Sequence, residues 1–562
     1  SNVYGQEDDA MPNERIYLHI NSSLLFPGDY LYYKCYLQRT DTKKLSDFSK
    51  VVYIELINEK KEIVFSHKLF TENGMIDGDF FVDQSLLSGN YKLIAFTQWM
   101  KNQSVSSFFQ QDVSVINPYS PLPKGIFNSK SNEENIPLVK KTEIGKNTIE
   151  EIKENLKFKI NGKAFVSRNK VALTLEALND DARKGSYSIS VRKRNIWERA
   201  QEFTAMSLDS VYSSIPKSTN LVANSVLPEL RGELLAGKVV EKNSSVPVQN
   251  SYVVLSAEGN ETLYDLAKTN ENGIFHFNID QPYDNNTFAL DLIDGDSNTV
   301  ELFPKEKNDY STILFNKLMI DSSLESVILE KSIENQIENA FSAVKPDSVV
   351  PIAPKTLFDH RYLLTYRLDD YTRFSTLKQT FQEFIPEVSL RKGQGQQYFS
   401  VRTSENSLFD DKPSVVLLDG HFISNHSRLT TFDSRKIHQI QVFTSNFVKN
   451  GINFKGAILI QTKDNTPVEI NQLYSGSDFF TIDVPHKRKK YFTPRYDSQT
   501  EKNNSVPDFR YQLLWQPNFV LNSETEHIEF FTSDVKGIFE VIIEGFTLSG
   551  EPISLKSRFE VN

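Results

Sequence analysis

A chain of 562 residues with 39% hydrophobic and 12% aromatic residues has the material for several globular cores, and its 24% of charged residues rules out wholesale disorder. Lysine and arginine number 63 against 73 aspartate and glutamate, a net charge of -10, which excludes a general nucleic-acid binder because phosphate contact needs clustered cations. The single cysteine, Cys35, excludes an intrachain disulfide and a cysteine zinc cage, and the sequence has no run of about 18 apolar residues to cross a membrane as a helix.

Residues 1–11 read as a flexible start or as the remnant of a signal peptide, with the small Gly5 at a cleavage position. Seven β-type runs follow. They are Ile16–Ile20, Tyr30–Leu37, Val51–Ile57, Ile63–Phe70, Gly78–Val82, Tyr91–Phe96 and Phe108–Val115. That spacing, with turn residues between, predicts an antiparallel β-sandwich over 12–118. Pro118, Pro121 and Pro123 punctuate a linker. A polar stretch at 124–153 leads into a second sandwich-like region, so 119–226 is one segment with strands at Leu156–Ile160, Val171–Ala177 and Tyr187–Arg192. A third sandwich is predicted over 227–305, with Asn272-Gly273 as a hairpin turn. Residues 306–350 form a helix-containing linker, the helix marked by Leu324, Val327, Ile328, Ile333, Ile337 and Phe341. An α+β domain is expected over 351–465, with a helix at Thr376–Phe384 and strands at Tyr398–Val401, Val415–Leu418, Ile437–Phe443 and Ala457–Thr462. A last β-sandwich fills 466–562. The predicted fold class is therefore mainly β: tandem immunoglobulin- or macroglobulin-like sandwiches with one α+β domain.

Several segments carry resemblances. Glu14-Arg15-Ile16-Tyr17-Leu18-His19, Phe26-Pro27-Gly28-Asp29 and Tyr33-Lys34-Cys35-Tyr36-Leu37 resemble the opening of macroglobulin MG2-type domains. Leu87–Met100 is similar to a segment of large exported Bacteroidetes proteins that carry such domains. Leu227–Gly232 with Gly237, Val248 and Gly273-Ile274-Phe275 resembles a carboxypeptidase-regulatory-like, transthyretin-like sandwich. Tyr366–Tyr371, Pro413–Gly420, Ile437–Val442 and Gly456–Lys463 resemble the plug of TonB-dependent receptors. Only about 100 residues follow Lys463, far short of a receptor barrel. The resemblance implies an exported protein, periplasmic or at the cell surface, associated with the outer membrane and peripheral to it. Its implied partners are an outer-membrane β-barrel protein and other envelope subunits.

The search for chemistry finds no catalytic constellation. Cys35 is followed by Tyr36-Leu37-Gln38, so the thioester of macroglobulin inhibitors cannot form, and Cys35 reads as a buried, inert thiol. His421 and His426, near Asp419, read as an exposed turn rather than a metal site. Asp294–Asn298 starts like a calcium loop but lacks the later ligands. Gly393-Gln394-Gly395 and Gly145-Lys146-Asn147-Thr148 lack the context of a phosphate loop. No cofactor is expected. The local charge anomaly is His486-Lys487-Arg488-Lys489-Lys490, followed by Tyr491. A basic run beside aromatics can touch anionic headgroups or an acidic partner. Arg192-Lys193-Arg194 is a weaker case. With Asp419 and Gly420 of the plug-like segment, His486–Tyr491 form the candidate interaction residues.

The sequence therefore reads as a non-enzymatic accessory or scaffold subunit of an outer-membrane machine, serving barrel assembly, type 9 secretion or TonB-dependent uptake. Two alternatives stay open. One is a solo glycan- or peptide-binding module. The other is a macroglobulin-like, protease-interacting protein without a thioester, whose bait would lie in 124–153.

Overall fold

The computed structural model describes residues 12–121, 127–128, 150–152, 155–194, 203–213, 226–257, 263–293, 298–316, 318–352, 357–393, 396–403, 412–463 and 478–562. The signal-peptide reading of 1–11, the calcium-like Asp294–Asp296, Gln394-Gly395, the Gly145–Thr148 segment and most of the bait candidate lie outside them. The protein is mainly β, as the alternating runs predict. The chain divides into two compact units. The first is built from 1–230, 307–350 and 486–562, the second from 231–306 and 351–485.

The first unit opens with a sandwich. One sheet has the order Glu14–Ile20, Tyr30–Arg39, Met75–Phe81. The other runs Leu24–Leu25, Phe109–Val115, Gly89–Phe96, Val51–Ile57, Ile63–Phe70. Between them lie Leu18, Leu31, Cys35, Ile54, Leu93 and Val113, all fully buried. Burial pushes the Cys35 thiol up to about 12, so it stays a thiol at neutral pH.

The second sandwich overturns the expectation of separate domains at 119–226 and 466–562. Its sheets are Glu150–Ile152, Leu156–Ile160, Lys170–Ala177, Thr525–Phe531 and Ala164–Phe165, Pro552–Val561, Gly537–Phe546, Ser186–Lys193, Gln512–Phe519. Ser186–Lys193 is thus an interior strand flanked on both edges by C-terminal strands. The physical reason is cover: Leu173, Ile189 and Val191 are fully buried, and Phe530, Val541, Leu555 and Phe559 bury them. The helix expected inside a linker is Glu325–Ala340, and it packs within this unit.

In the second unit, a sandwich pairs Ile274–Ile279, Glu233–Glu241, Asn298–Leu302 with Leu263–Lys268, Tyr252–Ala257, Thr287–Leu292, Asp478–Thr481. Asp478–Thr481 was expected in the C-terminal sandwich; its backbone instead completes this sheet beside Thr287–Leu292. Asn272-Gly273 does form a turn, with Gly273 at φ 71°. It is not a hairpin of paired strands: Leu263–Lys268 pairs with Tyr252–Ala257, and Ile274–Ile279 with Glu233–Glu241 in the opposite sheet. The turn carries the chain across the sandwich. The α+β part has the sheet order Leu363–Arg367, Ile437–Phe443, Ala457–Thr462, Val415–Leu418, His421–Phe422. Helix Leu377–Phe384 packs into its core, started by a Thr376/Gln379 capping box and stopped before Pro386.

Candidate functional site: a polar cleft in the first unit

The cleft begins where the buried face of helix Glu325–Ala340 turns from apolar to polar. Its Leu329 and Ile333 are 57% and 50% exposed, whereas Lys331 is 4% and Asn335 5% exposed. Its start is ordinary, with Leu324 and Ile328 buried among Leu24, Phe26 and Ile116; further along the same face the buried positions are polar, although apolar area belongs in the core. The buried polar face meets the turn Phe26-Pro27-Gly28-Asp29. Lys331 Nζ donates to Asp29 Oδ1 at 3.2 Å and Asn335 Nδ2 at 2.7 Å, while Asp29 Oδ2 accepts from the Phe26 N–H at 2.9 Å. Gly28 sits at φ 91°, and its carbonyl accepts from Asn339 Nδ2 at 3.2 Å. A Cβ there would lie 2.1 Å from that nitrogen. Glycine suits the positive φ of the turn, and any side chain there would push the Asn339 amide aside.

These groups line one wall of a cavity of about 410 Å3. The remaining walls come from Asn21 to Tyr32, from Arg192 and Lys193, from Ser342 to Asp347, from Lys489 and Phe492, and from Phe509 to Gln512. Its charges are mostly matched internally. Lys345 Nζ donates to Glu338 Oε1 at 2.7 Å, and Glu338 Oε2 accepts from the Phe509 N–H at 2.8 Å. Arg510 meets Asp508 with Nε at 2.6 Å and Nη2 at 2.8 Å. Burial works against the charge of Asp508, but Arg510 and Lys345 hold its carboxyl below the usual range. Asp347 accepts from the Phe492 N–H at 2.8 Å, and burial raises its carboxyl. Tyr511 donates its hydroxyl to Glu334 Oε2.

The basic run is only partly a surface. Lys489 Nζ donates to Asp79 Oδ2 at 2.7 Å and lines the cleft. Arg488 lies 3.3 Å from Glu72 and 3.9 Å from Asp77. His486 stacks on His67 at 4.1 Å between ring centroids, with Nε2 3.5 Å from Asp79 Oδ1. Burial, and then His486, pushes the His67 imidazole down to about 3. Tyr491 packs edge-on to Tyr32 at 4.7 Å, and burial raises its hydroxyl. Lys487 and Lys490 are exposed. The carboxylates that Arg488 and Lys489 meet lie on or just before strand Met75–Phe81 of the same chain.

Asp419 and Gly420 belong to the second unit. They are the tight turn between Val415–Leu418 and His421–Phe422, at φ 48° and 89°. Asp419 is occupied: its two oxygens accept from the Thr462 N–H and Oγ1, both at 2.7 Å. His421 and His426, expected on an exposed turn, are each only 5% exposed. Burial depresses both to about 4, and His426 Nδ1 accepts from the Phe399 N–H at 3.1 Å. Among the described residues no group of three or more His, Cys, Asp or Glu is placed to hold a metal ion.

The sequence pointed to Lys489 but not to the cleft. The signals present were Phe26-Pro27-Gly28-Asp29 and the Arg192-Lys193 pair. The polar residues of helix 325–340 gave none, because the apolar spacing of Leu324 and Ile328 marks the buried face but not the polar residues that continue it.

No family model matches the chain, and no curated protein matches it. Solved structures give a loose likeness. The Escherichia coli alpha-2-macroglobulin activated by porcine elastase is similar over 98% of this chain and 44% of its own, at 10% identity and a TM-score of 0.25. Salmonella alpha-2-macroglobulin reacted with methylamine is similar over 98% of this chain and 39% of its own, at 10% identity and a TM-score of 0.24. The chain spans less than half the length of either. Among the described residues no helix is long and apolar enough to cross a membrane.

Proposed function

We propose that the chain is a non-catalytic binding protein and that the cleft of the first unit is its ligand site. The observation that carries this is the polar stretch on the buried face of that helix. Beyond Ile328 the face buries Lys331, Ser332 and Asn335 while Leu329 and Ile333 are exposed, which gives up apolar burial that the same turns could have had. That arrangement suits a helix whose inner face serves a polar chamber. A volume of about 410 Å3 falls in the range of small-molecule sites. Ligand-induced thermal stabilisation tests the reading. Small sugars, amino acids and organic acids are screened against the protein and against Ser342→Trp, which puts a bulky ring at an exposed lining position of the cleft. At least one class should raise Tm by several degrees in the unaltered protein and not in the variant. Equal response of both, or none in either, sinks the reading.

A second reading keeps the envelope-subunit role, with the α+β part docking on an outer-membrane barrel. It is favoured by Leu363–Arg367, which lies at one edge of its sheet with Leu364 and the adjoining Tyr362 each 40% exposed. Edge strands accept further strands from partners. Crosslinked pull-down from native outer membranes checks it, and recovery without any barrel protein counts against it.

A further inference from the structure

Apart from Arg192, the cations that line the cleft separate into two kinds. Lys331, Lys345, Lys489 and Arg510 each lie within ion-pair distance of a carboxylate, namely Asp29, Glu338, Asp79 and Asp508. Lys193 has no ion pair among the described residues. It closes strand Ser186–Lys193 and is only partly exposed. Its Nζ lies 3.4 Å from the Tyr511 hydroxyl and 4.7 Å from the centroid of that ring. Lys331 Nζ lies 3.5 Å from the same centroid. Because Tyr511 donates its own proton to Glu334, its oxygen accepts from Lys193. An ammonium has three donors. One is spent on Tyr511, and no other partner meets Lys193 among the described residues. Glu330 and Glu334 face it from the helix and act on it through space, and burial opposes its charge.

We infer that the cleft binds a small organic molecule bearing an oxyanion, and that Lys193 is the residue that holds the oxyanion. This rests on the reading of the cleft as a ligand site and adds the ligand's class. A partly desolvated ammonium with idle donors costs free energy that a carboxylate or phosphate oxygen recovers in a charge-assisted hydrogen bond. The lining carboxylates are less suited to the converse role for a cationic ligand. Asp29 and Glu338 are already engaged by Lys331 and Lys345, and Asp347 by the Phe492 N–H. The body of the ligand has the aromatic walls of Tyr30 and Phe492 to lie against. The volume admits one or two sugar-sized rings. A sugar acid and a sugar phosphate share the chemistry that the cleft reads.

Isothermal titration of the full chain with galacturonate, with galactose and with inorganic phosphate separates the sources. Galacturonate should bind, and galactose, which lacks only the carboxylate, should bind at least about tenfold more weakly. Lys193→Met should cost galacturonate at least about tenfold with Tm unchanged, and Lys193→Arg should recover most of it. Binding of phosphate without galacturonate upholds the oxyanion and makes phosphate its source. If galactose binds as well as galacturonate and Ser342→Trp abolishes both, the cleft is a site and the oxyanion inference is wrong. The inference also falls if Lys193→Met binds as the unaltered protein does, or if none of the three probes binds. The broader ligand screen against Ser342→Trp then decides the site reading by itself.

Discussion

Single side chains at the junction of the two sandwiches in the first unit carry its pH behaviour. Glu544 accepts from the Tyr17 hydroxyl at 2.9 Å, the Ala205 N–H at 2.8 Å and Ser554 Oγ at 2.7 Å. It is fully buried, and that burial pushes its carboxyl up to about 7 against those bonds and the charge of Lys556. A pKa raised on folding gives stability that is complete below about 4.5 and is lost as pH rises through about 7. Glu544→Gln should remove that slope, so the Tm difference between variant and parent should grow in the variant's favour between pH 5 and 8. A constant difference would refute the assignment. His19, whose Nδ1 is 2.6 Å from Ser188 Oγ, works in the opposite sense. Burial lowers it to about 3, so it resists protonation in the fold, and stability is lost as pH falls below about 6.5. Gly28→Ala should lower stability by about 1–2 kcal/mol through its positive φ, readable by denaturant melts.

At the scale of elements, helix Glu325–Ala340 separates what sequence shows from what it hides. Its existence was legible from Leu324, Val327, Ile328, Ile333 and Ile337, and so were the strands of the first sandwich, because local periodicity reports local conformation. Its orientation was only partly legible. Leu324 and Ile328 mark the buried face, but the apolar pattern does not say that Lys331 and Asn335 continue it while Ile333 is exposed. Two substitutions test this placement. Leu329→Gln with Ile333→Gln should leave stability within about 0.5 kcal/mol, as for exposed positions. Asp29→Ala should cost about 2 kcal/mol or more, since it strands the buried Lys331 and Asn335. A large loss from the first pair in chemical denaturation would mean that the apolar stripe is covered. The basic run teaches the same lesson. Charge in sequence is visible, but the carboxylates of Glu72, Asp77 and Asp79 that meet it lie some 400 positions away; Arg488 and Glu72 are 416 apart.

At the scale of the molecule, tandem β domains were legible and their closure was not. Sandwich-like runs at Leu156–Ile160, Val171–Ala177 and Tyr187–Arg192 look like most of a domain, yet their partners come from the far end of the chain. Ser190 and Gln512, joined by a side-chain hydrogen bond, are 322 residues apart. Deleting 508–562 should therefore unfold 150–193 as well, seen as loss of amide-exchange protection there, while protection of Val253–Leu255 in the second unit persists. Survival of 150–193 would show that those strands close on their own. The same topology sets an order on synthesis. During translation, strand Ser186–Lys193 leaves the ribosome with both of its edges open and waits for both neighbours until the last strands appear. The segments of the second unit, 231–306 and 351–485, are complete by then. A half-built first unit must thus be kept from pairing its open strands with those of other chains while its insertions mature. The cleft is complete only after the C-terminal Phe509–Gln512 has docked, so a nascent or truncated chain lacks that wall of it.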